Sequence, residues 1–441
     1  MKPITFPAGF YWGGATSSHQ VEGRNTNNDW FVFEQLYGKI TDGTVSGDAC
    51  DHYSRFREDF ALLKTLNHNA HRFSVEWSRV EPARDYISKV EVNHYRQVAE
   101  SIRENGMEPF VTLHHFTTPI WLARTGGWLN PDSIERFEKF TRVMVDALGD
   151  IVTFWMPINE PVVYTFLSFM DGSYAPGMKK PLAGFNVMTH MLVAHGRAYR
   201  IIKEKYPDAQ VGFNKHMRIF DPLREDNKRD RAAAARMDKV FNMDIINALF
   251  TGETTGRIKV PATEKSTVRE SSDFLSLNYY SKDSIKFSIF HPGTLFGKIV
   301  MPEGAETSHE GAYGDKPEGE YYPHGIRRLL KILGSYGQPV YITENGVSTD
   351  NDAYRVKYMA NHIAEAGRAV QDGVDLRGYL FWSTLDNFEW NEGYLMRFGM
   401  IHVDFETFER TVNDSAKLFG DIAKKNALDD TICKKYNVTV E

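Results

Sequence analysis

One short segment decides the fold of this chain: Val340-Tyr341-Ile342-Thr343-Glu344-Asn345-Gly346. It begins with β-branched and aromatic residues and ends at a carboxylate, an amide and a glycine. Such a run, bounded by turn-forming residues, predicts a β-strand. An ionised carboxylate directly after a buried strand needs a charged partner or a function, because taking a charge out of water is costly. The segment therefore predicts a buried strand that ends in a reactive or ion-paired Glu344.

Seven further apolar segments are similar to this one, and longer helical patterns separate them. The eight predicted strands are residues 10–15, 70–75, 109–113, 153–158, 211–213, 274–277, 340–343 and 379–382. The amphipathic runs between them include residues 53–66, 92–105, 133–148 and 187–205. Alternating strands and helices predict a parallel sheet, and eight such units predict the α/β architecture of a (β/α)8 TIM barrel. A doubly wound open sheet is the alternative, but the chain lacks the GxGxxG turn that such sheets commonly carry.

Composition narrows the class of protein. The chain is 42% hydrophobic and 25% charged, which is ordinary for a folded globular protein. No linker or change of composition divides it, so we expect one catalytic domain over residues 1–441. The net charge of −6 comes without a basic stripe, which argues against nucleic acid as a partner. The sequence contains no run of about 18 apolar residues, so we predict no membrane span.

The N-terminus and the cysteines predict a cytoplasmic protein. The first residues lead directly into a strand-like segment, without the apolar core of a signal peptide. Cys50 and Cys433 lie far apart in the sequence and form no disulfide framework or metal-binding pair. The sequence leaves the oligomeric state open, a homo-oligomer included.

Two carboxylates follow predicted strands, Glu160 after the fourth and Glu344 after the seventh. In a barrel of this kind the reactive groups lie at the carboxyl ends of the strands. Either residue alone could be half of a structural ion pair. Two carboxylates at one barrel mouth favour a pair that performs acid/base and nucleophilic catalysis.

Aromatic and amide residues cluster after the other strands and suit the binding of a sugar. The clusters are residues 18–23, 72–77, 113–116, 278–280 and 382–390. Indole rings stack on the apolar face of a pyranose, while amides and carboxylates bind its hydroxyl groups. His114 and His115 could suggest a metal, but neighbouring residues on a strand point to opposite faces. We therefore expect no metal ion and no cofactor.

Taken in order, these motifs resemble those of glycoside hydrolase family 1, the β-glucosidase and β-galactosidase family. The resemblance runs from about residue 6 to about residue 423 of the chain. It rests on FxWGxATSSxQxEG at 10–23, RFSxxWSR at 72–79, NEP at 159–161, NYY at 278–280, ITENG at 342–346, WSxxDNFEWxxGY at 382–394 and RFG at 397–399.

The resemblance implies a retaining exo-β-glycosidase that acts on β-glucosides and related small-molecule β-glycosides. It implies that Glu344 attacks the anomeric carbon, that Glu160 serves as the acid/base, and that Arg72 and Tyr280 keep the nucleophile ionised and oriented. The residues that it assigns to sugar binding are Gln20, His115, Asn159, Trp382, Glu389 and Trp390.

Two other functions stay open at this point. A 6-phospho-β-glycosidase of the same family usually has Ser in place of Glu389, and a carboxylate there would repel a phosphate dianion. A non-catalytic sugar-binding barrel would be expected to lack Glu160 or Glu344. The preferred epimer, the natural aglycone and the balance between hydrolysis and transglycosylation are not determined by the sequence.

The chain departs from the family pattern around the leaving group. Phe116 stands where the family usually has Trp, and Gly319 stands about where many members carry another Trp. Residues 281–319 show no clear period and predict a long loop over the barrel mouth. Within it, residues 285–301 are too apolar for an ordinary solvated loop. They either pack on the barrel rim or line an apolar channel above the scissile bond.

Overall fold

A closed barrel of eight parallel strands forms the centre of the protein. The computed structural model describes residues 2–254, 256–309 and 319–440. Each strand pairs with the next in the chain, and the eighth pairs with the first through Gly378 and Tyr11, which confirms the predicted fold. The strands are Tyr11–Ala15, Ala70–Ser74, Glu108–His114, Phe154–Ile158, Gln210–His216, Phe274–Asn278, Val340–Glu344 and Leu376–Trp382.

Helices surround the barrel and turn their apolar faces to the strands. Asn351 shows how one begins: its side chain accepts hydrogen bonds from the backbone of Ala353 and Tyr354. The longer helices are His52–Thr65, Lys89–Glu104, Asp132–Leu148, Pro181–Lys205, Lys228–Asp238, Asp244–Thr251, His324–Gly334, Asp352–Gln371 and Asp414–Lys425. The four amphipathic runs predicted from the sequence are among them. Within the described residues, no helix is long and apolar enough to cross a membrane.

Shorter elements connect or extend these units. Short α-helices are Ser18–Val21, Asp29–Glu34, Trp77–Val80, Ile120–Ala123, Pro161–Thr165, Lys265–Val268 and Asp430–Lys435. Two π-helical segments are Phe166–Asp171 and Lys239–Met243. Turns of 3-10 helix are Gly127–Leu129, Pro292–Thr294 and Trp390–Glu392. Short antiparallel strand pairs are Ile4–Thr5 with Ala427–Leu428 and Ile401–Val403 with Arg410–Val412.

An aromatic cluster fills the barrel at the amino ends of its strands. The rings of Phe110 and Phe154 stack with their centroids 4.3 Å apart, and Tyr11, Phe274 and Tyr341 pack around them. A barrel of eight strands leaves just enough interior for such side chains, so this end is closed. Several barrel strands begin with apolar residues and end with polar ones. Reactive side chains are therefore expected at the opposite, carboxyl end of the barrel.

The prediction of a long irregular loop over residues 281–319 is wrong for a large part of that region. Lys282–Phe287 and Gly297–Val300 form an antiparallel hairpin, which joins Ile219–Pro222 in a three-stranded sheet. The inward side chains, Ile285 among them, pack on the helix Lys228–Asp238. Residues 310–318 lie outside the described residues. We call residues 282–300, the two hairpin strands and the turn between them, the rim hairpin. The rim hairpin stands at the carboxyl end of the barrel.

Candidate active site

A cavity of about 390 Å³ opens at the carboxyl ends of the strands. This volume is within the range of sites for small molecules. Two predicted site residues, Gln20 and Arg72, lie behind the cavity and contact its carboxylates. The other eight line it: His115, Asn159, Glu160, Tyr280, Glu344, Trp382, Glu389 and Trp390.

Glu344 is held by two donors at the end of the seventh strand. The Arg72 guanidinium donates from Nη1 to Oε1 at 2.5 Å, and the Tyr280 hydroxyl donates to Oε2 at 2.6 Å. Arg72 is itself fully buried, and its other nitrogens donate to Thr112 Oγ1 and Asn159 Oδ1. Both carboxylate oxygens are therefore occupied by fixed donors, which stabilise the ionised form.

Glu160 occupies a different setting at the end of the fourth strand. Its φ is +43°, in the left-handed region that residues with a Cβ rarely adopt, immediately before the short helix that begins at Pro161. Such a conformation costs on the order of 1–3 kcal/mol and persists where the surrounding fold imposes it. Asn278 Nδ2 donates to Glu160 Oε1 at 2.6 Å, and His216 Nδ1 lies 3.4 Å from the same oxygen.

The surroundings of the two carboxyl groups shift their pKa values in opposite directions. Burial raises the pKa of Glu344 to about 7; the charge of Arg72 opposes that shift and the charge of Glu160 adds to it. Burial also raises the pKa of Glu160, but the charge of His216, with smaller contributions from the His216 and Asn278 hydrogen bonds, lowers it below its ordinary value overall. Both carboxyl groups line the same cavity, and the charge of Glu160 acts on Glu344.

Glu389 lies at the far side of the predicted site residues, which we together call the floor of the cavity. The floor consists of Gln20, Arg72, His115, Asn159, Glu160, Tyr280, Glu344, Trp382, Glu389 and Trp390. Gln20 Nε2 donates to Glu389 Oε2 at 3.0 Å and to Asn387 Oδ1 at 2.9 Å. Burial raises the pKa of Glu389 to about 8, the charge of Glu344 adds to the rise, and the hydrogen bond from Gln20 opposes it. The carboxyl group therefore keeps its proton to a higher pH than an ordinary glutamate does.

Aromatic rings and an imidazole complete the floor. The His115 ring lies between Trp382 and Trp390, with centroid distances of 5.8 and 6.0 Å, and its Nε2 is 3.1 Å from Asn159 Nδ2. Two buried polar atoms of the floor, Gln20 Oε1 and His115 Nδ1, have no hydrogen-bond partner among the described protein atoms. Buried polar atoms are normally paired, so these two are available to a polar ligand.

The outer wall of the cavity is apolar. Both π-helical segments contribute side chains to it, and the rim hairpin adds Leu295 and Ile299. The apolar side chains of the wall are Val162, Val163, Phe166, Leu167, Met170, Phe185, Met188, Phe220, Met237, Val240, Phe241, Leu295 and Ile299. We call this set the apolar wall.

The sequence signature of Glycosyl hydrolase family 1 matches residues 2–428, which is nearly the whole chain. The chain belongs to glycosyl hydrolase family 1. It is accordingly a β-glucosidase-type glycoside hydrolase that hydrolyses β-glucosides, with a closed (β/α)8 barrel as its scaffold.

Individual relatives of this family 1 enzyme agree with that assignment. It is 34% identical to Beta-glucosidase A of Thermotoga maritima over 98% of this chain and 100% of that one. Its fold is similar to the β-glycosidase from Pyrococcus horikoshii, with a TM-score of 0.89, 34% identity and 99% of each chain covered. It is equally similar to a β-glucosidase from Thermotoga maritima in complex with glucoimidazole, with a TM-score of 0.89, 33% identity and 96% and 100% of the two chains covered.

The structure also shows what the sequence prediction missed. His216, Arg218 and Asp283 line the cavity of the family 1 enzyme, yet no motif pointed to them. The predicted fifth strand ended at Phe213, whereas the observed strand continues to His216. The strand ends in the polar residues Asn214-Lys215-His216, so the apolar pattern stops three residues before the strand does.

Gly319, at one of the two departures from the family pattern, has a backbone conformation that favours glycine. Its φ is +73°, and a β-carbon at this position would lie 2.1 Å from Ser281 Oγ. A Trp here would need another backbone conformation, so the width of the cavity is not explained by a side chain missing from Gly319. Phe116, at the other departure from the family pattern, does line the cavity.

Proposed function

We propose that the protein is a retaining exo-β-glycosidase that cleaves β-D-glucosides through a covalent glycosyl-enzyme intermediate. The arrangement of two buried carboxylates on one cavity supports this proposal most directly. Glu344 is the nucleophile and Glu160 is the acid/base. In retaining enzymes the two carboxyl groups stand about 5 to 5.5 Å apart, which leaves no room for a water molecule between sugar and nucleophile.

The reaction has two displacements. Glu344 attacks the anomeric carbon while Glu160 gives a proton to the leaving oxygen. Glu160 then takes a proton from water, which displaces Glu344. Arg72 and Tyr280 orient the nucleophile, and the floor residues Gln20, His115, Asn159, Trp382, Glu389 and Trp390 bind the sugar.

These roles require an ionised Glu344 and a protonated Glu160 when the sugar is bound. The pKa values of the empty site run the other way, raised for Glu344 and lowered for Glu160. In a coupled pair the contacts decide which member carries the proton. Arg72 and Tyr280 both donate to Glu344, whereas the lowered pKa of Glu160 depends on a charged His216, which burial disfavours. We therefore assign the negative charge to Glu344 in the loaded site.

The same floor supports unphosphorylated sugars. Glucosides fit the proposed contacts, and β-galactosides and β-fucosides differ from them at positions that Gln20 and Glu389 can serve. Among the cavity residues that the structure describes, Arg218 is the one arginine or lysine, and Asp283 pairs with it at 2.8 Å. Among these described residues, no arginine or lysine is therefore left unpaired to bind a 6-phosphate.

The apolar wall supports a preference for alkyl and aryl aglycones. An apolar aglycone that leaves water for this wall gains roughly 25 cal/mol for each Å² buried. A second sugar would gain less, because its hydroxyl groups would face side chains that cannot hydrogen-bond. Ile299 is 46% exposed and also lines the cavity, so the apolar surface reaches the cavity mouth.

The stereochemical course of the reaction tests the proposal. Proton NMR during hydrolysis of p-nitrophenyl β-glucoside should show β-glucose first, followed by slow mutarotation. Release of the α-anomer first would refute the double displacement and the assignment of Glu344 as nucleophile. A wholly inactive protein with bound sugar would instead indicate a non-catalytic sugar-binding barrel.

A further inference from the structure

His216 links the two halves of the catalytic pair. Its Nδ1 lies 3.4 Å from Glu160 Oε1. Its ring stacks on Tyr280 with centroids 5.6 Å apart and an interplanar angle of 21°, and Tyr280 is the residue that donates to Glu344. The Phe241 ring meets its edge at 5.8 Å. The imidazole is thus held by Tyr280 on one face and by Phe241 in an edge contact, with its Nδ1 next to the acid/base.

The surroundings of His216 allow its charge to change. Burial lowers its pKa, and Glu160 acts in the opposite sense through charge and hydrogen bonding. Lys215, on the same strand, and Arg218, two residues beyond His216, disfavour a positive imidazole. The titratable and charged groups that face it are Glu160, Lys215, Arg218, Tyr280, Asp283 and His309.

We propose that His216 is a positioning residue that shares the acid/base proton with Glu160, so that the two side chains work as a dyad. This inference rests on the proposed function of Glu160. It goes beyond that function because it gives the proton a second place to reside between turnovers.

The proton can be followed through one turnover. In the free enzyme the proton is shared between His216 Nδ1 and Glu160 Oε1. When the sugar displaces water, the charge-separated form of the pair loses solvation, so the proton settles on the carboxyl group and leaves a neutral imidazole. Glu160 passes it to the glycosidic oxygen as the C–O bond breaks and the bond from Glu344 forms. Water then supplies a proton to Glu160 while its oxygen displaces Glu344, and that proton returns to His216.

A dyad retains its proton to a higher pH than a lone carboxyl group. An imidazole accepts a proton near pH 6.5, a carboxyl near pH 4. The basic limb of kcat/KM reports loss of the essential proton from the free enzyme. His216→Asn keeps a possible N–H donor to Glu160 but cannot carry the proton. It should move the basic limb to lower pH by roughly one unit.

The pH dependence of kcat/KM, measured with an alkyl β-glucoside, tests the dyad. His216→Asn and His216→Gln should both move the basic limb downward and reduce kcat/KM on the order of tenfold near its original midpoint. A matched control is His195→Asn, which removes a buried imidazole whose Nε2 bonds to the Ser271 carbonyl outside the cavity. That variant should keep both limbs in place.

Two further measurements separate this inference from a packing role and from the proposed function. With dinitrophenyl β-glucoside, whose leaving group needs no proton, the His216 variants should lose little kcat/KM. In a Glu160→Gln background, His216→Asn should change nothing further in the pH profile. A basic limb that stays in place or moves upward in both His216 variants overturns the dyad. If Glu160→Ala also fails to distinguish good from poor leaving groups, the proposed function falls with it.

Discussion

The floor and the apolar wall of the cavity are built in opposite ways. Floor residues follow the barrel strands, and the catalytic carboxylate is fixed by partners, since Arg72 and Tyr280 both donate to Glu344. The apolar wall comes from α-helical and π-helical segments outside the barrel and from the rim hairpin, where Ile299 stays partly exposed. In the proposed function this difference divides the work: the barrel carries the reaction, and the added segments select the aglycone.

The largest effect should come from the floor. Glu344→Gly should lower kcat on p-nitrophenyl β-glucoside by at least about 10⁴-fold, because no covalent intermediate can form. Glu306→Gly is a suitable control, since Glu306 pairs with Lys357 outside the cavity. Near-normal turnover in the Glu344 variant would show that the floor does not supply the nucleophile.

Glu160→Ala should have a smaller effect that depends on the leaving group. The loss should reach roughly 10²- to 10⁴-fold for alkyl glucosides and be much less for dinitrophenyl glucoside, which needs no proton. Added azide should partly restore turnover and yield a β-glycosyl azide, which can be identified by NMR. Equal losses on both substrates would remove Glu160 from the acid/base role.

A phosphate test examines the sugar-binding end of the floor. Above pH 8 the kcat/KM for p-nitrophenyl β-glucoside should exceed that for its 6-phosphate by about two orders of magnitude, because the ionised Glu389 at its proposed place beside the sugar opposes a dianion. The pKa of Glu389 is raised to about 8, so the carboxyl is neutral below and charged above that pH. Discrimination should therefore widen as pH rises through 8.

Glu389→Ser should narrow that discrimination and remove its dependence on pH. Both results are read from kcat/KM values on the two substrates between pH 6 and pH 9. A preference for the phosphorylated sugar in the unmodified enzyme would favour the 6-phospho-β-glycosidase alternative.

The smallest effect for each group changed should come from the apolar wall. From butyl to hexyl to octyl β-glucoside, kcat/KM should rise by up to roughly fourfold for each added methylene. This factor corresponds to about 0.8 kcal/mol of transition-state stabilisation per buried methylene. Ile299→Ser should flatten this series, while Val90→Ser, which changes an exposed residue outside the cavity, should not. A flat series with cellobiose as the better substrate would leave the rim hairpin only a packing role.

The eight strands and the two carboxylates could be read directly from the sequence. Buried parallel strands are short apolar runs, and the residue after each run faces the barrel mouth whatever the helices do. Glu160 and Glu344 follow such runs, and the ordered motifs added the residues around them. Local pattern was sufficient here because strand, turn and reactive residue are adjacent in the chain.

The rim hairpin and His216 were decided only by tertiary structure. The strand Lys282–Phe287 pairs with Ile219–Pro222, about 60 residues earlier, so no local pattern marks its register. Asn214 and His216 end the fifth strand with polar residues that look like a loop in sequence. Asn214 is buried because Asn159 and Thr343 from other strands satisfy its amide, and only the closed barrel brings these partners together.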